Sequence, residues 1–434
     1  MGEHVPPPLE RRGGVLFIGG KSCVELAERY GTPVYVMDEG RLRENYRRLK
    51  SAFSGRLRKF RIHYAMKANS NLSVLGILRQ EGAGVDCASL EEAKIALMAG
   101  YSAKDIMLTA SYIDESDLRE AIRMGLLVNI DDSSALDSIP RGKIPRALCF
   151  RINPGFGKAV FPSLTLGGSD SKFGMDGQAM VACLRTAHEM GVQSFGIHMM
   201  AGSGSLDAVY FGQVTERMLE IAVAVADAAG VSFDFIDVGG GFGVPYRTSE
   251  RPLDVELVAE EVCGALRKTF GNGREPTLLI EPGRYLVCDS GILLSRVRAI
   301  KQGRIPFIGI DAGMNTLLRP ALYGAHHEVL LANRLEKKTA AANVCGTVCE
   351  NTDIMARERV LPRMAPGDLV AILNAGAYGF CMSSHYNGKP RPPEVLVARG
   401  KSELVREGES IRDVVGRQKV PARLKPRRVR GPRS

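Results

Sequence analysis

FRIHYAMKAN, residues 60–69, has the alternating character of a short β-strand and ends in a lysine followed by turn-forming residues. A lysine just past an inward-facing strand lies at the mouth of a fold, where desolvation can lower its pKa and make it a nucleophile toward aldehydes. Most lysines that follow strands are solvated loop residues. Lys67 therefore becomes a candidate catalytic residue only together with motifs elsewhere in the chain.

Apolar runs of strand length recur after this stretch and alternate with longer amphipathic segments. The eight runs are Phe60–Ala65, Gly84–Cys87, Ile106–Leu108, Leu127–Ile130, Ala147–Ile152, Phe195–Met199, Phe233–Val238 and Thr277–Ile280. Helical spacing is clear at Leu90–Met98, Ser116–Met124 and Leu257–Phe270. This alternation predicts an α/β fold with a (β/α)8 barrel, and a doubly wound sheet is the alternative because short apolar runs are easily misassigned.

Beyond about residue 290, short β-like runs are separated by Gly, Pro and Asn, with little helix between them. The runs are Gly291–Ile300, Phe307–Asp311, Glu328–Ala332, Ala342–Val348, Asp368–Leu373 and Glu394–Ala398. They predict a mostly antiparallel β-sandwich or β-barrel domain, which the early strands near residues 15 and 35 would join. The expected division is residues 1–38 as an N-terminal segment of the β domain, 39–289 as the barrel, 290–416 as the β domain and 417–434 as a disordered basic tail.

The composition is typical of a soluble globular protein, with 434 residues, 45% of them hydrophobic and 24% charged, enough for two cores. No apolar run approaches the roughly 20 residues of a membrane span, and the N-terminus lacks the apolar segment of a secretory signal. The nine cysteines include no CxxC pair, which favours a reducing compartment, the cytoplasm. We expect neither a membrane partner nor a bound metal.

The net charge of +10 comes largely from the C-terminus. Residues 417–434 hold eight Lys and Arg and no acid, so +10 less these eight leaves only +2 for the rest of the chain. The tail contains no aromatic residue that could stack on bases. A solubilising extension is therefore favoured over a nucleic-acid-binding arm.

The active site of a (β/α)8 barrel lies at the carboxyl ends of its strands. The residues there are Lys67 at the first strand, Asp86 at the second, Arg151 and Asn153 at the fifth, and His198, Met200, Gly202 and Ser203 at the sixth. The seventh strand leads into DVGGGFG, residues 237–243, where Gly240 and Gly241 would let backbone N–H groups approach a phosphate closely. A glycine cluster of this kind is also common in plain tight turns.

The eighth strand ends in EPGR, residues 281–284. A carboxylate beside an arginine is in many proteins only a structural ion pair. Beside a lysine that can bind an aldehyde and a loop that can bind phosphate, it predicts a pyridoxal phosphate site. Glu281 would pair with the pyridinium nitrogen, and Ser203, Gly240 and Gly241 would hold the phosphate.

The predicted β domain adds further candidates in the motifs RPALY, CENTD and GAYGF. The planar guanidinium group suits a carboxylate, so Arg284 and Arg319 are candidates for clamping one away from the reacting carbon. Cys349, beside Glu350, is a candidate proton donor, with an unreactive buried thiol as the alternative.

Together these motifs resemble the fold-type III pyridoxal-phosphate decarboxylases, which pair an alanine-racemase-like barrel with a β domain. The resemblance runs from about residue 15 to 415, and its motifs are HYAMKAN, GVDCAS, DSKFGM, DVGGGFG, EPGR, RPALY, CENTD and GAYGFCMSSHYN. The last motif, with RPPEVLV after it, is similar to the lysine-biosynthetic branch. The resemblance implies pyridoxal 5'-phosphate as cofactor and decarboxylation of meso-2,6-diaminopimelate to L-lysine and CO2.

The resemblance also implies a role for each matching residue on the cofactor side. Lys67 would bind the cofactor covalently, and Glu281 would pair with its ring nitrogen. The other residues expected to contact the cofactor are Asp86, His198, Met200, Ser203, Gly240, Gly241, Gly283, Arg284 and Tyr378.

On the substrate side, the resemblance implies that the distal carboxylate is bound by Arg284, Arg319 and Tyr323, beside Tyr378. Glu350 would recognise the amino group at the stereocentre, and Cys349 would supply a proton. The segment with Cys349 and Glu350 would come from the second subunit of a homodimer, so that each active site lies at the subunit interface.

One position departs from the family pattern. Where His-x-Gly-Ser is usual, with the histidine stacked on the cofactor ring, this chain has Met200-Ala201-Gly202-Ser203. Either Met200 packs on the ring as an apolar substitute, which we favour, or His198, which faces the same side of the strand, covers it.

Other functions stay open at this stage. A sister decarboxylase would act on D-ornithine, D-lysine or another basic amino acid. A substrate with a cationic far end would more naturally meet an acid than Arg284 and Arg319. A catalytically silent regulatory homologue is the alternative from a different class, and the presence of Lys67, Glu281 and Cys349 speaks against it.

Overall fold

The computed structural model describes residues 5–140, 142–155, 158–159, 171–200 and 202–424, with only the backbone described at 158–159. Residues 1–4 of the expected N-terminal segment, Asp170 of the DSKFGM motif, Ala201 beside Met200 and residues 425–434 of the expected tail lie outside the described residues.

The strands are β1 Leu9–Arg12, β2 Val15–Ile18, β3 Lys21–Ser22, β4 Val34–Asp38, β5 Phe60–Ala65, β6 Gly84–Cys87, β7 Ile106–Leu108, β8 Leu127–Ile130, β9 Ala147–Arg151, β10 Lys158–Ala159, β11 Ser194–His198, β12 Gly202–Ser203, β13 Phe233–Asp237, β14 Thr277–Ile280, β15 Gly291–Lys301, β16 Phe307–Ile310, β17 Val329–Leu331, β18 Thr339–Cys345, β19 Ile354–Pro362, β20 Leu369–Ile372, β21 Glu394–Ala398 and β22 Lys401–Arg406. The α-helices are α1 Cys23–Tyr30, α2 Glu39–Ser54, α3 Leu72–Glu81, α4 Leu90–Met98, α5 Glu115–Met124, α6 Ser134–Asp137, α7 Gly177–Met190, α8 Ala208–Ala229, α9 Val255–Phe270, α10 Arg284–Val287, α11 Arg319–Tyr323 and α12 Ile411–Val415. Short 3₁₀ turns lie at Met66–Ala68, Ala103–Asp105, Phe380–Met382, Tyr386–Gly388 and Ala422–Leu424.

Eight parallel strands close into a barrel in the order β5, β6, β7, β8, β9, β11, β13 and β14. The last strand returns to the first through the parallel pairing of Ile280 with Ile62, which closes the ring. All eight predicted apolar runs are strands of this barrel. The (β/α)8 prediction is therefore confirmed, and the doubly wound sheet is excluded.

The helices around the barrel begin and end at capping residues, as α5 illustrates. The side chain of Asp114 accepts a hydrogen bond from the backbone N–H of Asp117 and caps the start of α5. Gly125 follows the helix in the left-handed region, with φ of 75°, and its N–H satisfies carbonyls of the last turn. α5 buries Leu118 and Ala121 against the barrel. Capped amphipathic helices of this kind return the chain to the amino end of the next strand.

Nine of the remaining strands form a mostly antiparallel sheet, as predicted, and β10 pairs with β12 in a separate two-stranded sheet. The strand near residue 35, β4, lies inside the nine-stranded sheet, antiparallel to β15 and parallel to β21. The strand near residue 15, β2, does not join it but pairs with β1 and β3 in a sheet of its own. Leu16 and Ile18 of β2 share a core with Val36 of the large sheet, so β2 packs on that sheet instead of extending it.

The sequence prediction missed two strands of this sheet, β19 and β22. They lie at its two ends, where one side of the strand faces solvent and charged residues are tolerated. Val360 in β19 is 73% exposed and stands among arginine and glutamate residues. Edge strands therefore lack the continuous apolar run on which the prediction relied.

All nine cysteines lie within the described residues and are free. None of the described helices combines the length and the apolar character that crossing a membrane would require.

Candidate active site

The carboxyl ends of five neighbouring barrel strands bring together five ionisable side chains. Lys67 follows β5, Asp86 is the penultimate residue of β6, His198 ends β11, Asp237 ends β13 and Glu281 follows β14. The three carboxylates and His198 are buried, whereas the Lys67 side chain is 43% exposed. The buried side chains of Asp86, His198, Asp237 and Glu281 therefore form the charged floor of the site, and the Lys67 side chain extends from this floor toward solvent.

Lys67 pairs with Asp86 at a distance of 3.1 Å between Nζ and Oδ2. Burial by itself would lower the pKa of Lys67, but the negative charges of Asp86 and Glu281 raise this pKa above its usual value. The sequence expectation of a lowered lysine pKa is therefore wrong for this structure. The reason is that two buried carboxylates outweigh the loss of hydration.

Glu281 is buried and faces His198, with 3.3 Å between Oε2 and the histidine Nε2. Its other oxygen, Oε1, has no hydrogen-bond partner among the described residues. Burial raises the pKa of Glu281, but the nearby His198, Lys67 and Arg151 outweigh burial and hold this pKa below its usual value. The carboxylate therefore stays ionised and presents one free oxygen.

Two glycine-rich loops pack backbone against backbone beside this floor. A Cβ on Gly240 would lie 2.2 Å from the carbonyl oxygen of Glu281, and one on Gly241 would lie 2.7 Å from the carbonyl oxygen of Gly202. The N–H of Ser205 donates to the carbonyl of Gly241 at 3.0 Å, which joins the two loops. Glycine is thus required here by close approach, and not only for a tight turn.

Met200 lies over the glycine-rich loop that follows β13. The N–H of Gly240 points at its sulfur, with 3.2 Å between N and Sδ. His198 lies deeper, in the barrel, where it contacts Glu281. The structure thus places Met200, and not His198, next to the predicted phosphate loop.

Arg284 and Arg319 are both buried, and neither forms a salt bridge within the part of the chain that the structure describes. They line one side of a cavity of about 120 Å³, together with Ser203. A buried guanidinium group normally has an anionic partner. Two of them beside one cavity, which Glu250 also lines, are therefore suited to an anion.

Tyr246 separates the two arginines, and the sequence analysis missed it. Its hydroxyl is 2.6 Å from Nη1 of Arg284, and its ring lies 4.7 Å from Cζ of Arg319. The ring thereby fixes the positions of both guanidinium groups. A tyrosine seven positions past Gly239, the first residue of the glycine cluster, is the signal that could have drawn attention to it.

His327 also escaped the sequence analysis. Its Nε2 lies 2.9 Å from Nη1 of Arg319, and its Nδ1 lies 2.8 Å from the carbonyl oxygen of Leu373. Burial and the adjacent Arg319 lower the pKa of His327 to about 3. The ring is therefore neutral, and because arginine can only donate, Nε2 accepts while Nδ1–H donates to Leu373.

Tyr378 has a positive φ of 55°, a strained conformation for a tyrosine. Its N–H donates to the carbonyl of Ala68 at 2.8 Å, next to Lys67, and Cζ of Arg284 lies 4.9 Å from its ring. Tyr378 thus connects the lysine with the arginine pair. Tyr323 stands four residues after Arg319 on the short helix α11 and is half-buried.

Cys349 and Glu350 are exposed in the loop between β18 and β19. The N–H of Cys349 donates to Oδ1 of Asn387 at 2.6 Å. None of the contacts of the described residues joins Cys349 or Glu350 to the barrel floor. A single chain therefore does not bring these two candidates to Lys67.

The residues fit pyridoxal phosphate. Lys67 is positioned to take its aldehyde carbon, the free oxygen of Glu281 suits a protonated ring nitrogen, and the crowded glycine loops offer backbone donors to a phosphate. The unpartnered Oδ1 of buried Asp86 is a further polar atom left for a bound group.

Comparison with known proteins gives the same result. The model of the family described as "Pyridoxal-dependent decarboxylase, pyridoxal binding domain" matches residues 39–288. A diaminopimelate decarboxylase of Methanothermobacter thermautotrophicus is 45% identical over 419 residues, 95% of this chain and 97% of that protein, and one of Thermoplasma acidophilum is 39% identical over 92% and 96%. The crystal structure of diaminopimelate decarboxylase from M. jannaschii in co-complex with L-lysine superimposes with a TM-score of 0.90 at 30% identity, over 96% and 99% of the two chains. This chain belongs to the family of pyridoxal-phosphate-dependent decarboxylases that includes the diaminopimelate decarboxylases.

Proposed function

We propose that this protein decarboxylates meso-2,6-diaminopimelate to L-lysine and CO2, as a step of lysine synthesis. The observation that carries the proposal is the pair of buried guanidinium groups, Arg284 and Arg319, without a carboxylate partner among the described residues. A diamino acid with a cationic far end would meet two positive charges there, whereas a distal carboxylate would neutralise them. The relatives named as diaminopimelate decarboxylases support this choice.

Bound pyridoxal phosphate supplies an aldehyde that takes up the substrate amine and a ring that accepts the electron pair left behind when the carboxylate leaves as CO2. The ionised Glu281 holds a proton on the ring nitrogen, which favours that electron acceptance. Lys67 and Asp86 exchange a proton along their 3.1 Å contact, which lets the lysine alternate between its charged and neutral forms.

The cofactor's phosphate is assigned to the two glycine loops and the EPGR turn. The residues we assign to it are Ser203, Gly240, Gly241, Gly283 and the backbone of Arg284. Met200 is assigned to the adjacent face of the ring, because its sulfur already lies over Gly240. His198 acts from the ring-nitrogen side through its contact with Glu281.

The substrate's distal carboxylate is assigned to Arg284, Arg319 and Tyr323, with Tyr378 beside them. Tyr246 and His327 hold the two guanidinium groups in place from behind. We add these two residues to the set on which specificity depends.

The site is completed by a second copy of the chain. Cys349 and Glu350 are exposed, and no contact among the described residues joins them to the barrel residues of the site, so we assign them to the active site of the partner in a homodimer. Glu350 would bind the amino group at the substrate's distal stereocentre, and Cys349 would deliver the proton that replaces CO2.

We further propose the four-part division of the chain at residues 38, 289 and 416 and a cytoplasmic location. The pairing of β4 with β15 and β21 supports the assignment of residues 34–38 to the β domain. The nine free cysteines support a reducing compartment.

The test is CO2 release from meso-diaminopimelate, D-lysine, D-ornithine and L-ornithine, each with added pyridoxal phosphate and with Lys67→Ala as the inactive control. We expect strong preference for diaminopimelate. Preference for a D-diamine would contradict the proposed role of the arginine pair. Cofactor binding without turnover of any substrate would contradict enzymatic function altogether.

A further inference from the structure

Asp237 and Glu281 form a pair of buried carboxylates at the ends of the adjacent strands β13 and β14. Asp237 has no exposed surface, and Glu281 is almost fully buried. A carboxylate oxygen of Asp237, a carboxylate oxygen of Glu281 and a ring nitrogen of His198 all lie within 4.8 Å of one another. Asp237 is the first residue of the DVGGGFG motif and was not among the predicted site residues.

Each of the two carboxylates has one oxygen with a partner and one without. Oδ1 of Asp237 accepts the N–H of Gly239 at 2.8 Å, and Oε2 of Glu281 faces Nε2 of His198. Oδ2 of Asp237 and Oε1 of Glu281 have no partner among the described residues. Two bare carboxylates this close and this deeply buried repel each other strongly, so a proton between them is expected.

The surrounding charges decide which carboxylate holds that proton. Glu281 has His198, Lys67 and Arg151 near it, which favour its ionised form. Asp237 is influenced instead by burial and by the negative charges of Glu281 and Asp86, which raise its pKa far above the usual range. Cys149 on β9 and His63 on β5 are further titratable neighbours, and burial keeps the thiol un-ionised and lowers the pKa of the imidazole to about 4. The proton therefore belongs to Asp237.

We propose that Asp237 is a positioning residue that remains a neutral acid and donates a hydrogen bond to Glu281, holding that carboxylate ionised and aimed at the ring nitrogen of the cofactor. No bond to the cofactor or substrate is formed by Asp237. The proposal rests on the cofactor placement proposed above. It adds the reason why an ionised carboxylate is stable in so buried a place.

Two variants distinguish a neutral donor from a charged group: Asp237→Asn, which keeps the size of the side chain, and Asp237→Ala, which truncates it. In Asp237→Asn, the amide oxygen still accepts the N–H of Gly239 and the NH2 group still donates to Glu281, so it imitates a protonated aspartate. Asp237→Ala removes both interactions. Pyridoxal phosphate affinity, measured by absorbance titration, is expected to stay within about threefold of wild type in Asp237→Asn and to fall by about tenfold or more in Asp237→Ala.

Infrared spectroscopy of the cofactor-free protein supplies a second readout that does not depend on activity. The difference spectrum between wild type and Asp237→Asn at neutral pH is expected to contain the carbonyl stretch of an un-ionised carboxylic acid. A thermal melt would reveal whether Asp237→Ala fails to fold. In that case the infrared difference spectrum and the pyridoxal phosphate affinity of Asp237→Asn still test the proposal.

Three outcomes would overturn the proposal. One is an affinity loss in Asp237→Asn as large as that in Asp237→Ala, which would mean that the charge of Asp237 is needed. Another is an infrared difference that shows only an ionised carboxylate. The third is a stoichiometric metal ion in the purified protein that Asp237→Asn loses, which would make the cluster a metal site. A protein that binds pyridoxal phosphate but does not decarboxylate diaminopimelate would contradict the proposed function and leave this test intact.

Discussion

Arg319 is a single buried residue on which we expect the substrate preference to depend. Its side chain is 1% exposed, its Nη1 is held by the neutral His327, and its Cζ lies against the ring of Tyr246. The guanidinium group keeps further donors that the described residues do not neutralise with a carboxylate. A buried cation in this state is costly to the protein and becomes favourable when an anion arrives.

Replacing this group removes the anion site with little change in volume. In Arg319→Leu, kcat/KM for diaminopimelate is expected to fall by about 10- to 150-fold, because a hydrogen bond to a charged group contributes about 1.5–3 kcal/mol. Steady-state kinetics with diaminopimelate and with D-lysine, which lacks the distal carboxylate, measure the effect. Arg304→Leu is the matched control, since that arginine is 85% exposed. An equal loss for both substrates would argue against the carboxylate clamp.

At the scale of elements, the site depends on two loops whose backbones touch. The loop after β11 and the loop after β13 are joined by the hydrogen bonds of Ser205 with Gly241 and of Gly243 with Ser205. Their glycines leave no room for a methyl group, in contrast to Gly264 in the middle of α9, which has no atom within 4 Å of an added Cβ.

This contrast provides a matched pair of substitutions. Gly240→Ala would press a methyl group against the carbonyl of Glu281, so we expect pyridoxal phosphate affinity to fall by at least about tenfold while the fold is kept. Gly264→Ala is expected to raise the free energy of unfolding by about 0.5–1 kcal/mol and to leave the affinity unchanged. Absorbance titration and denaturant unfolding measure the two quantities. Unchanged affinity in Gly240→Ala would remove the glycine loops from the cofactor site.

A cluster of ionisable side chains around Glu409 holds the loop that carries Tyr378. Oε1 of Glu409 accepts two hydrogen bonds from Arg391, from Nε at 2.8 Å and from Nη2 at 2.5 Å, and Oε2 of Glu409 lies 2.5 Å from Nε2 of His385. These contacts connect residues 376–391 to the end of the β domain. Burial raises the pKa of Glu409, but the hydrogen bonds from Arg391 and His385 lower it from 4.5 to about 2.

The lowered pKa predicts a defined pH dependence. A carboxylate with a lowered folded-state pKa stabilises the protein fully above its unfolded value, near 4.5, and this stabilisation is lost as the pH falls toward about 2. The difference in unfolding free energy between wild type and Glu409→Gln should therefore be constant above pH 4.5 and shrink below it. Urea unfolding at a series of pH values measures this. Glu403→Gln, at an exposed position of β22, is the matched control.

At the scale of the whole molecule, one chain holds the lysine and the anion site but keeps its own Cys349 and Glu350 on the outside. The proposed homodimer resolves this separation, since each subunit would lend its exposed loop to the other. An isologous dimer then contains two equivalent sites, each made from both chains.

Mixing two inactive variants tests this arrangement. Lys67→Ala and Cys349→Ala are each expected to be nearly inactive, with Cys349→Ala reduced by about 10²–10⁴-fold as for loss of a proton donor. Random reassociation of equal amounts should restore roughly a quarter of wild-type activity, because half of the dimers contain one intact site. CO2 release after co-refolding measures it. No recovery, with dimers verified by size, would place Cys349 in its own chain's site.

The sequence by itself determined the barrel, seven of the nine strands of the large β sheet and most of the candidate residues. Strand periodicity, helix caps and glycine positions act over a few residues, so their signals are local and survive in the bare sequence. The stretch around Lys67, the glycine loop and the EPGR turn were identified in this way. The edge strands β19 and β22 were missed because their exposed faces carry charge instead of an apolar pattern.

Only the tertiary structure decided the electrostatics of the site. The pKa of Lys67 is raised and not lowered, because Asp86 and Glu281, far along the chain, lie close to it in space. The same holds for Tyr246 between the two arginines and for the proton assigned to Asp237. Charge interactions depend on distances across the barrel and on burial, and neither quantity is encoded in any short stretch of sequence.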